Sequence, residues 1–411
     1  MREYILVMLT SGLTTYLLSS LCRQAALRWG AVAKVRSRDV HTRPIPYFGG
    51  VAMLGGVALA CLLARNMPFL GHHLLVADDA LTICVAGAVI CAVGVLDDLL
   101  DLPALAKAAG QVLAAGIVVT GGVRMFWIPL PNSIIALGTP TSILVTVFFI
   151  VLCANAVNFI DGLDGLASGV VAIGSLAFFS YTYLLAHEQD FVVATTTSLI
   201  TAATAGACMG FLPHNWHPAK MFMGDSGALL LGLLLATSTI SLTGQIDSTA
   251  LTAQGGGLVP AYLPIIVPLM VLAIPVLDLV MGYVRRTWRG TWFFVADKQH
   301  LHHRLLQHGH SHIRAVLLMY LWTTVLTFGT VFIGLERTWW AVVIVIAGLV
   351  MCVLLTMANS WHPPMPEIST PSRVMCYVSH RGQPHRANYS THSVALSSSD
   401  GLNHHHWIHR S

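Results

Sequence analysis

Charge is what this sequence lacks. Only 10% of its 411 residues are Asp, Glu, Lys or Arg, against 55% hydrophobic residues, and the mean hydropathy is +0.71. A soluble globular domain carries about 25% charged residues. A chain with less than half of that cannot cover itself with polar surface, which excludes a water-solvated fold and leaves lipid as the solvent. Paired cysteines are missing as well. The eight cysteines form no Cys-x-x-Cys and most fall inside apolar runs, where Cys serves as a small apolar side chain. That argues against a disulfide framework or a structural zinc site. No small-residue cleavage site follows the first apolar run, so it is expected to stay as a helix. No internal repeat is visible, which argues against a transporter built from duplicated halves.

What is present is a series of charge-poor runs, and about 20 apolar residues suffice to cross a bilayer as a helix. Eleven spans are predicted, at 4–22, 48–64, 79–96, 104–120, 141–157, 166–186, 191–211, 227–243, 258–281, 315–334 and 338–357. The runs are too long and too evenly apolar for the alternating strands of a membrane β-barrel. The expected fold is therefore an all-α polytopic integral membrane protein of about eleven transmembrane helices. Residues 1–358 form the membrane domain, and the His/Ser-rich segment 359–411 is expected to be a disordered tail. The segment from Trp127 to Ser133 is turn-rich and is expected to form a small hairpin or lid.

Lys and Arg give the orientation. With loops alternating sides, Arg2, Arg65, Arg124 and Arg337 fall on one face and the other 18 of the 22 basic residues on the opposite one. The tail holds four of these, so 14 against 4 remains without it. The positive-inside rule makes the richer face cytoplasmic, with the amino terminus outside and the carboxyl terminus inside.

The acids, amides and histidines concentrate on that same face, in what read as loops. Ionisable groups near the hydrocarbon cost at least ~2.5–3.5 kcal/mol each at mid-span, so they usually mark function. Asp97-Asp98 closes the third span, and adjacent carboxylates need a cation or a donor to offset their repulsion; a hard cation such as Mg²⁺ is the natural partner. Asn155, Asn158, Asp161 and Asp164 recur at spacing three and close the fifth span. Gly162 and Gly165 suggest that the backbone breaks there or approaches a ligand. The run from Pro213 to Gly227 places Asp225-Ser-Gly at the start of the eighth span, where free backbone N–H groups would suit a metal–phosphate complex; a plain N-cap is the structural alternative. Asp297-Lys298-Gln-His300-Leu-His302-His303-Arg304 lies in the basic loop after the ninth span and suits phosphate contact better than zinc, since no ligand set accompanies it. Asp39 to Gly50 leads into the second span with Arg43 and a Gly pair that permits close helix packing.

In this order, the five elements resemble the polyprenyl-phosphate N-acetylhexosamine-1-phosphate transferases, over about residues 34–357. The resemblance implies transfer of a sugar 1-phosphate from a UDP-sugar to a polyprenyl phosphate, with UMP released and Mg²⁺ (or Mn²⁺ in its place) required. It implies that Asp97, Asp98, Asp161, Asp164, His300, His302 and His303 belong to the catalytic set, and that Asp225 and Asn158 bind the metal. It places Asn215, Phe222, Asp164 and Gly165 near the uridine, with Phe222 able to stack on the base. It places Lys107 and the histidines near phosphate, and adds Arg43, Asn155, Lys298 and Arg304 to the substrate-binding positions. His300-Leu-His302-His303, Asp278 and Arg285-Arg286 follow the GlcNAc branch, so UDP-GlcNAc is the expected donor and UDP-MurNAc-pentapeptide the alternative. The implied partners are UDP-GlcNAc, the polyprenyl phosphate, the plasma membrane and a second copy in a homodimer; nucleic acid is not among them. A transporter of anionic cargo is the rival class, but it would place acids near mid-membrane rather than at one interface. Direct attack by the lipid phosphate is favoured over a covalent aspartyl intermediate, because a phosphate titrating near pH 6 gains little from a base at pH 7.

Overall fold

In lipid, an apolar run satisfies its own backbone hydrogen bonds only as a helix or in a closed barrel, and this chain uses helices. The computed structural model describes residues 1–33, 44–72, 74–130, 133–188, 194–245, 259–271, 273, 311–336 and 338–358. The described helices are α1 (Arg2–Trp29), α2 (Gly49–Ala64), α3 (Leu74–Leu100), α4 (Ala104–Thr120), α5 (Thr139–Ile160), α6 (Leu166–Glu188), α7 (Ala194–Asn215), α8 (Gly224–Gln245), α9 (Val259–Val271), α10 (His312–Glu336) and α11 (Trp339–Met357). Among them 7 hold stretches long and apolar enough to cross a membrane, namely α1, α3, α5, α6, α8, α10 and α11. The apolar helices α2 and α4 are shorter, at 16 and 17 residues. The protein is thus a mostly helical, multi-pass membrane protein.

Several helices run past the apolar stretch that announced them. α3 continues to Leu100, α5 to Ile160 and α7 to Asn215, while α8 begins at Gly224. Asp97, Asp98, Asn158, Asn215 and Asp225 therefore sit on helix ends rather than in loops, which corrects the sequence reading; Asn155, expected inside the fifth span, lies on α5. Hydropathy marks the part that must lie in hydrocarbon. The helix itself persists through i to i−4 hydrogen bonding whatever the polarity of the side chains. Arg43, Lys298, His300, His302, His303 and Arg304 lie outside the described residues, as do Asp278, Arg285, Arg286 and the tail.

Helix α8 is the centre of the bundle. Its apolar stretch is buried throughout, and it packs on α2, α3, α5 and α7. A helix that is apolar all round belongs in such a position. Most of its hydroxyls cost little there because they bond back along the helix, as Thr237 does to the Leu233 carbonyl (2.9 Å) and Ser238 to that of Leu234 (2.7 Å). The periphery is the reverse. α11 exposes Val342, Val343, Ile344, Ile346, Val350 and Leu354, and α1 exposes Leu6, Leu9, Leu13 and Leu17. A face of that kind needs lipid rather than water.

The hairpin expected near Trp127 is present. Strand β1 (Trp127–Leu130) pairs antiparallel with β2 (Ser133–Ala136), Trp127 opposite Ala136 and Leu130 opposite Ser133. Trp127 is buried and anchors it.

The Gly49-Gly50 pair brings α2 directly against the start of α8. Gly49 and Gly50 donate their N–H groups to the carbonyls of Phe222 and Met223, each at 3.2 Å. A Cβ on Gly50 would overlap the backbone of Ser226 and Gly227. Gly50→Val is expected to lower stability by ~1–3 kcal/mol, the range for overpacking, with reduced activity because it pushes on the segment that carries Asp225. A thermal melt in detergent measures the first effect.

Candidate active site

The charged side chains meet at one end of the bundle, where α3 ends, α4 begins, α5 ends and α8 begins. Lys107, in the first turn of α4, is the hub. Its ammonium lies 2.9 Å from Asp97 Oδ2 and also contacts Asp225 Oδ2. With the Asn158 amide oriented as its neighbours require, its oxygen accepts from Lys107 Nζ at 3.1 Å and its nitrogen donates to Asp225 Oδ1 at 3.0 Å. Three oxygens from three helices thus surround a single positive charge. The other Asp97 oxygen accepts from the Leu102 N–H at 2.8 Å, which fixes the carboxylate.

Asp98 points elsewhere. Its Oδ1 accepts from the Asp225 N–H at 2.9 Å and its Oδ2 from the Ser226 N–H at 3.3 Å. A helix begins with unpaired N–H groups and favours a negative charge there. Here the capping carboxylate arrives from another helix. This corrects the expectation that the start of α8 offers free N–H groups to phosphate: Asp98 already holds two of them. Asp225 is not the N-cap either, since it lies within the first turn of α8. Gly224, at φ +67°, precedes it, and a Cβ there would collide with the Asp98 carboxylate. Only glycine suits both demands.

One turn further along α4 and α5, Asn155 pairs with Gln111. The Asn155 amide donates to Gln111 Oε1 at 2.7 Å, and Gln111 donates back to Asn155 Oδ1 at 3.3 Å. The structure therefore places Asn155 in a partly buried amide pair with the buried Gln111, which sets the α4–α5 spacing beneath Lys107 and Asn158. Gln111 escaped the sequence reading, although a lone Gln in an apolar span is a visible signal.

A second polar group forms around the turn between α5 and α6. Asp164 is 3% exposed; its Oδ2 accepts from His217 Nδ1 at 2.8 Å and from the Ala219 N–H at 3.1 Å. Gly165, at φ +77°, donates its N–H to Asn215 Oδ1 at 3.0 Å, and Tyr320 donates its hydroxyl to the Gly165 carbonyl. Asn215 in turn donates to the Met221 carbonyl at 3.0 Å. Asn215 so ties the end of α7 to the turn before α6 and to the strand of chain leading to Asp225. The Phe222 ring stands 6.3 Å from that of Tyr47, and its N–H donates to the Pro46 carbonyl at 3.0 Å. His217, Tyr320 and His312 were not singled out from sequence, because nothing in their spacing connects them.

Asp161 lies between the two groups. Burial pushes its carboxyl up to about 7, and the carboxylates of Asp98 and Asp164 add to the effect. The folded protein therefore holds this proton through pH values at which the unfolded chain has lost it. Stability is expected to fall as pH rises from about 4 to about 7, and Asp161→Asn to flatten that part of the profile. Melting temperatures across this range, wild type against variant, measure it. Tyr320→Phe removes one hydrogen bond to the Gly165 carbonyl and is expected to cost ~1 kcal/mol of stability.

The oxygen-only set of Asp97, Asn158 and Asp225 fits a hard divalent cation such as Mg²⁺. The Lys107 ammonium occupies the position that shows how those oxygens converge on positive charge.

Residues 80–243 match glycosyl transferase family 4, a segment that contains Asp97, Asp98, Lys107, Asn158, Asp161, Asp164 and Asp225. The chain is 45% identical to the decaprenyl-phosphate N-acetylglucosaminephosphotransferase of Mycolicibacterium smegmatis over 335 residues, 80% of this chain and 82% of that one. It is 32% identical to a probable undecaprenyl-phosphate N-acetylglucosaminyl 1-phosphate transferase of Bacillus subtilis, across 84% of this chain and 89% of the relative. A phospho-N-acetylmuramoyl-pentapeptide-transferase of Synechococcus is 32% identical, across 80% of this chain and 90% of its own length.

Proposed function

The chain belongs to glycosyl transferase family 4 and to its polyprenyl-phosphate N-acetylglucosamine phosphotransferases, and on that premise we propose that it transfers N-acetylglucosamine 1-phosphate from UDP-GlcNAc to a membrane polyprenyl phosphate. The products are polyprenyl-diphosphate-GlcNAc and UMP, and the step opens the assembly of a cell-envelope glycopolymer. The observation that carries the reading is the convergence of Asp97, Asn158 and Asp225 on one cation position beside Lys107.

The reaction joins two anions, so the chain must first overcome their repulsion. Asp225, Asn158 and Asp97 would hold Mg²⁺, which when bound neutralises the diphosphate and steadies the leaving UMP. Lys107 carries its ammonium on a flexible four-carbon stem beside those oxygens, ready to pair with an entering phosphate. Both Asp98 oxygens are engaged by the Asp225 and Ser226 N–H groups, so Asp98 fixes the backbone under Asp225. Asp97 shares the movable Lys107 with Asp225, so a cation and a phosphate entering together can redistribute these pairings without unpaired charge. The lipid phosphate attacks directly, and positioning supplies most of the acceleration. A phospho-enzyme trapped from labelled UDP-GlcNAc without lipid would contradict direct attack.

The excess of basic residues on the face that carries the site puts that face in the cytoplasm, with the amino terminus outside. A soluble nucleotide sugar reaches it there, and the acceptor phosphate lies at the same surface. UMP release from purified protein, compared between UDP-GlcNAc and UDP-MurNAc-pentapeptide and between Mg²⁺ and EDTA, tests the reading. Faster release with UDP-GlcNAc and none in EDTA are the expected results; preference for the pentapeptide donor overturns the assignment of substrate.

A further inference from the structure

Outside the oxygen cluster, the described residues contain one group able to hold a softer metal. Asp164 in the turn after α5, His217 in the chain after α7 and His312 at the start of α10 bring one ligand atom each to within 4.8 Å of one another. We propose that these three side chains form a second metal site, one for a Zn²⁺-class transition ion, separate from the oxygen site at Asp225. Three observations support it.

The donor set is one carboxylate and two imidazoles. Imidazole suits Zn²⁺, Co²⁺ or Ni²⁺, whereas Mg²⁺ prefers oxygen alone. The two candidate sites in this chain thus differ in chemistry.

The two imidazoles are held beside each other. The His217 and His312 rings stack with centroids 4.0 Å apart and planes 15° from parallel. Two near-parallel imidazoles at that spacing bring a ring nitrogen each to the same place beside Asp164, and imidazole is a common ligand of such ions.

The carboxylate is oriented from behind. The Ala219 N–H donates to the same Asp164 oxygen that faces His217, the kind of outer contact that fixes a ligand's direction. Asp164 is buried while the His217 side chain keeps 31% exposure, which leaves one side open to water or a further ligand. Bonds of ~2.0–2.1 Å put tetrahedral ligand atoms roughly 3.3 Å apart. Binding therefore asks His217 and Asp164 to open from 2.8 Å, and the wider separations among the three ligand atoms, up to 4.8 Å, to close.

Such an ion would tie together three segments that are remote in sequence, at the turn that also carries Asp161 and Gly165. The test uses the full-length protein in detergent with saturating Mg²⁺, so that the oxygen cluster is supplied. Micromolar Zn²⁺ is expected to raise the melting temperature of the wild type. His312→Ala and His217→Asn are expected to lose that rise, and Asp225→Asn to keep it. Co²⁺ should give a visible ligand-field band in the wild type that is missing in His312→Ala. Histidines of the 359–411 segment can take up zinc, but binding there does not raise the melting temperature of the membrane helices. A rise that survives in His312→Ala, or one that vanishes in Asp225→Asn, overturns the proposal; so does a wild type that shows no rise and no band.

Discussion

Replacing Lys107 by Met is expected to cut transfer about 10²–10³-fold, the usual loss when one preorganised charge partner is removed from a transferring group. It is also expected to make folding depend on divalent cation. In the wild type, the ammonium sits among Asp97, Asp225 and Asn158 and offsets two carboxylates. Breaking a fully buried pair costs ~3–5 kcal/mol. These side chains keep 14–25% exposure, so a smaller cost of ~2 kcal/mol is expected here in EDTA. Mg²⁺ should then return more stability to Lys107→Met than it adds to the wild type, because it no longer competes with the ammonium for the same oxygens. Melting curves with and without Mg²⁺ measure this directly. Equal Mg²⁺ effects in the two proteins would mean that the ion and the ammonium use different places.

The second large effect concerns Asp98, whose role differs from that of its neighbour. Asp98→Ala orphans the N–H groups of Asp225 and Ser226, at ~1–3 kcal/mol for each buried group left unpaired. It also lets the first turn of α8 shift. A displacement of about 1 Å at a reacting group can cost ~10²-fold in rate, and Asp225 rides on that turn. Asp98→Asn keeps one acceptor oxygen but turns an NH₂ toward the second N–H, so it is expected to fall between the wild type and Ala in both stability and rate. If Asp98 acted only as a base or nucleophile, Asn and Ala would be equally inactive and equally stable. The graded order is therefore diagnostic, and UMP release together with melting temperature reads it.

Much of this was legible in the sequence, and for physical reasons. Lipid requires long apolar runs, so the helices announce themselves by composition. The one-sided clustering of acids and amides follows from their cost inside the bilayer, so Asp97, Asn158 and Asp225 stand out without a structure. Three things were not legible. Helix ends extend beyond the hydropathy signal, so residues read as loops proved to be the last or first turns of α3, α5, α7 and α8. The division of labour between Asp97 and Asp98 depends on which way each side chain leaves α3, which adjacency in sequence does not specify. The meeting of Asp164, His217 and His312 joins positions far apart in the chain. Only the packing of α10 against α6, with Tyr320 over Gly169, brings that last residue near. Gln111 is an intermediate case, a polar residue in an apolar run whose partner Asn155 lay on the next helix.

The most direct test of the central claim compares Asp225→Asn with the wild type for UMP release from UDP-GlcNAc and polyprenyl phosphate in Mg²⁺, with both proteins shown by melting to be folded. Asn is close in shape and can still accept a hydrogen bond from Lys107, so the fold should hold. Release is expected to drop at least ~10²-fold, as when one charge clamp on a transferring phosphoryl group is lost. A folded Asp225→Asn protein that releases UMP at the wild-type rate would contradict the assignment of the reaction to this cluster.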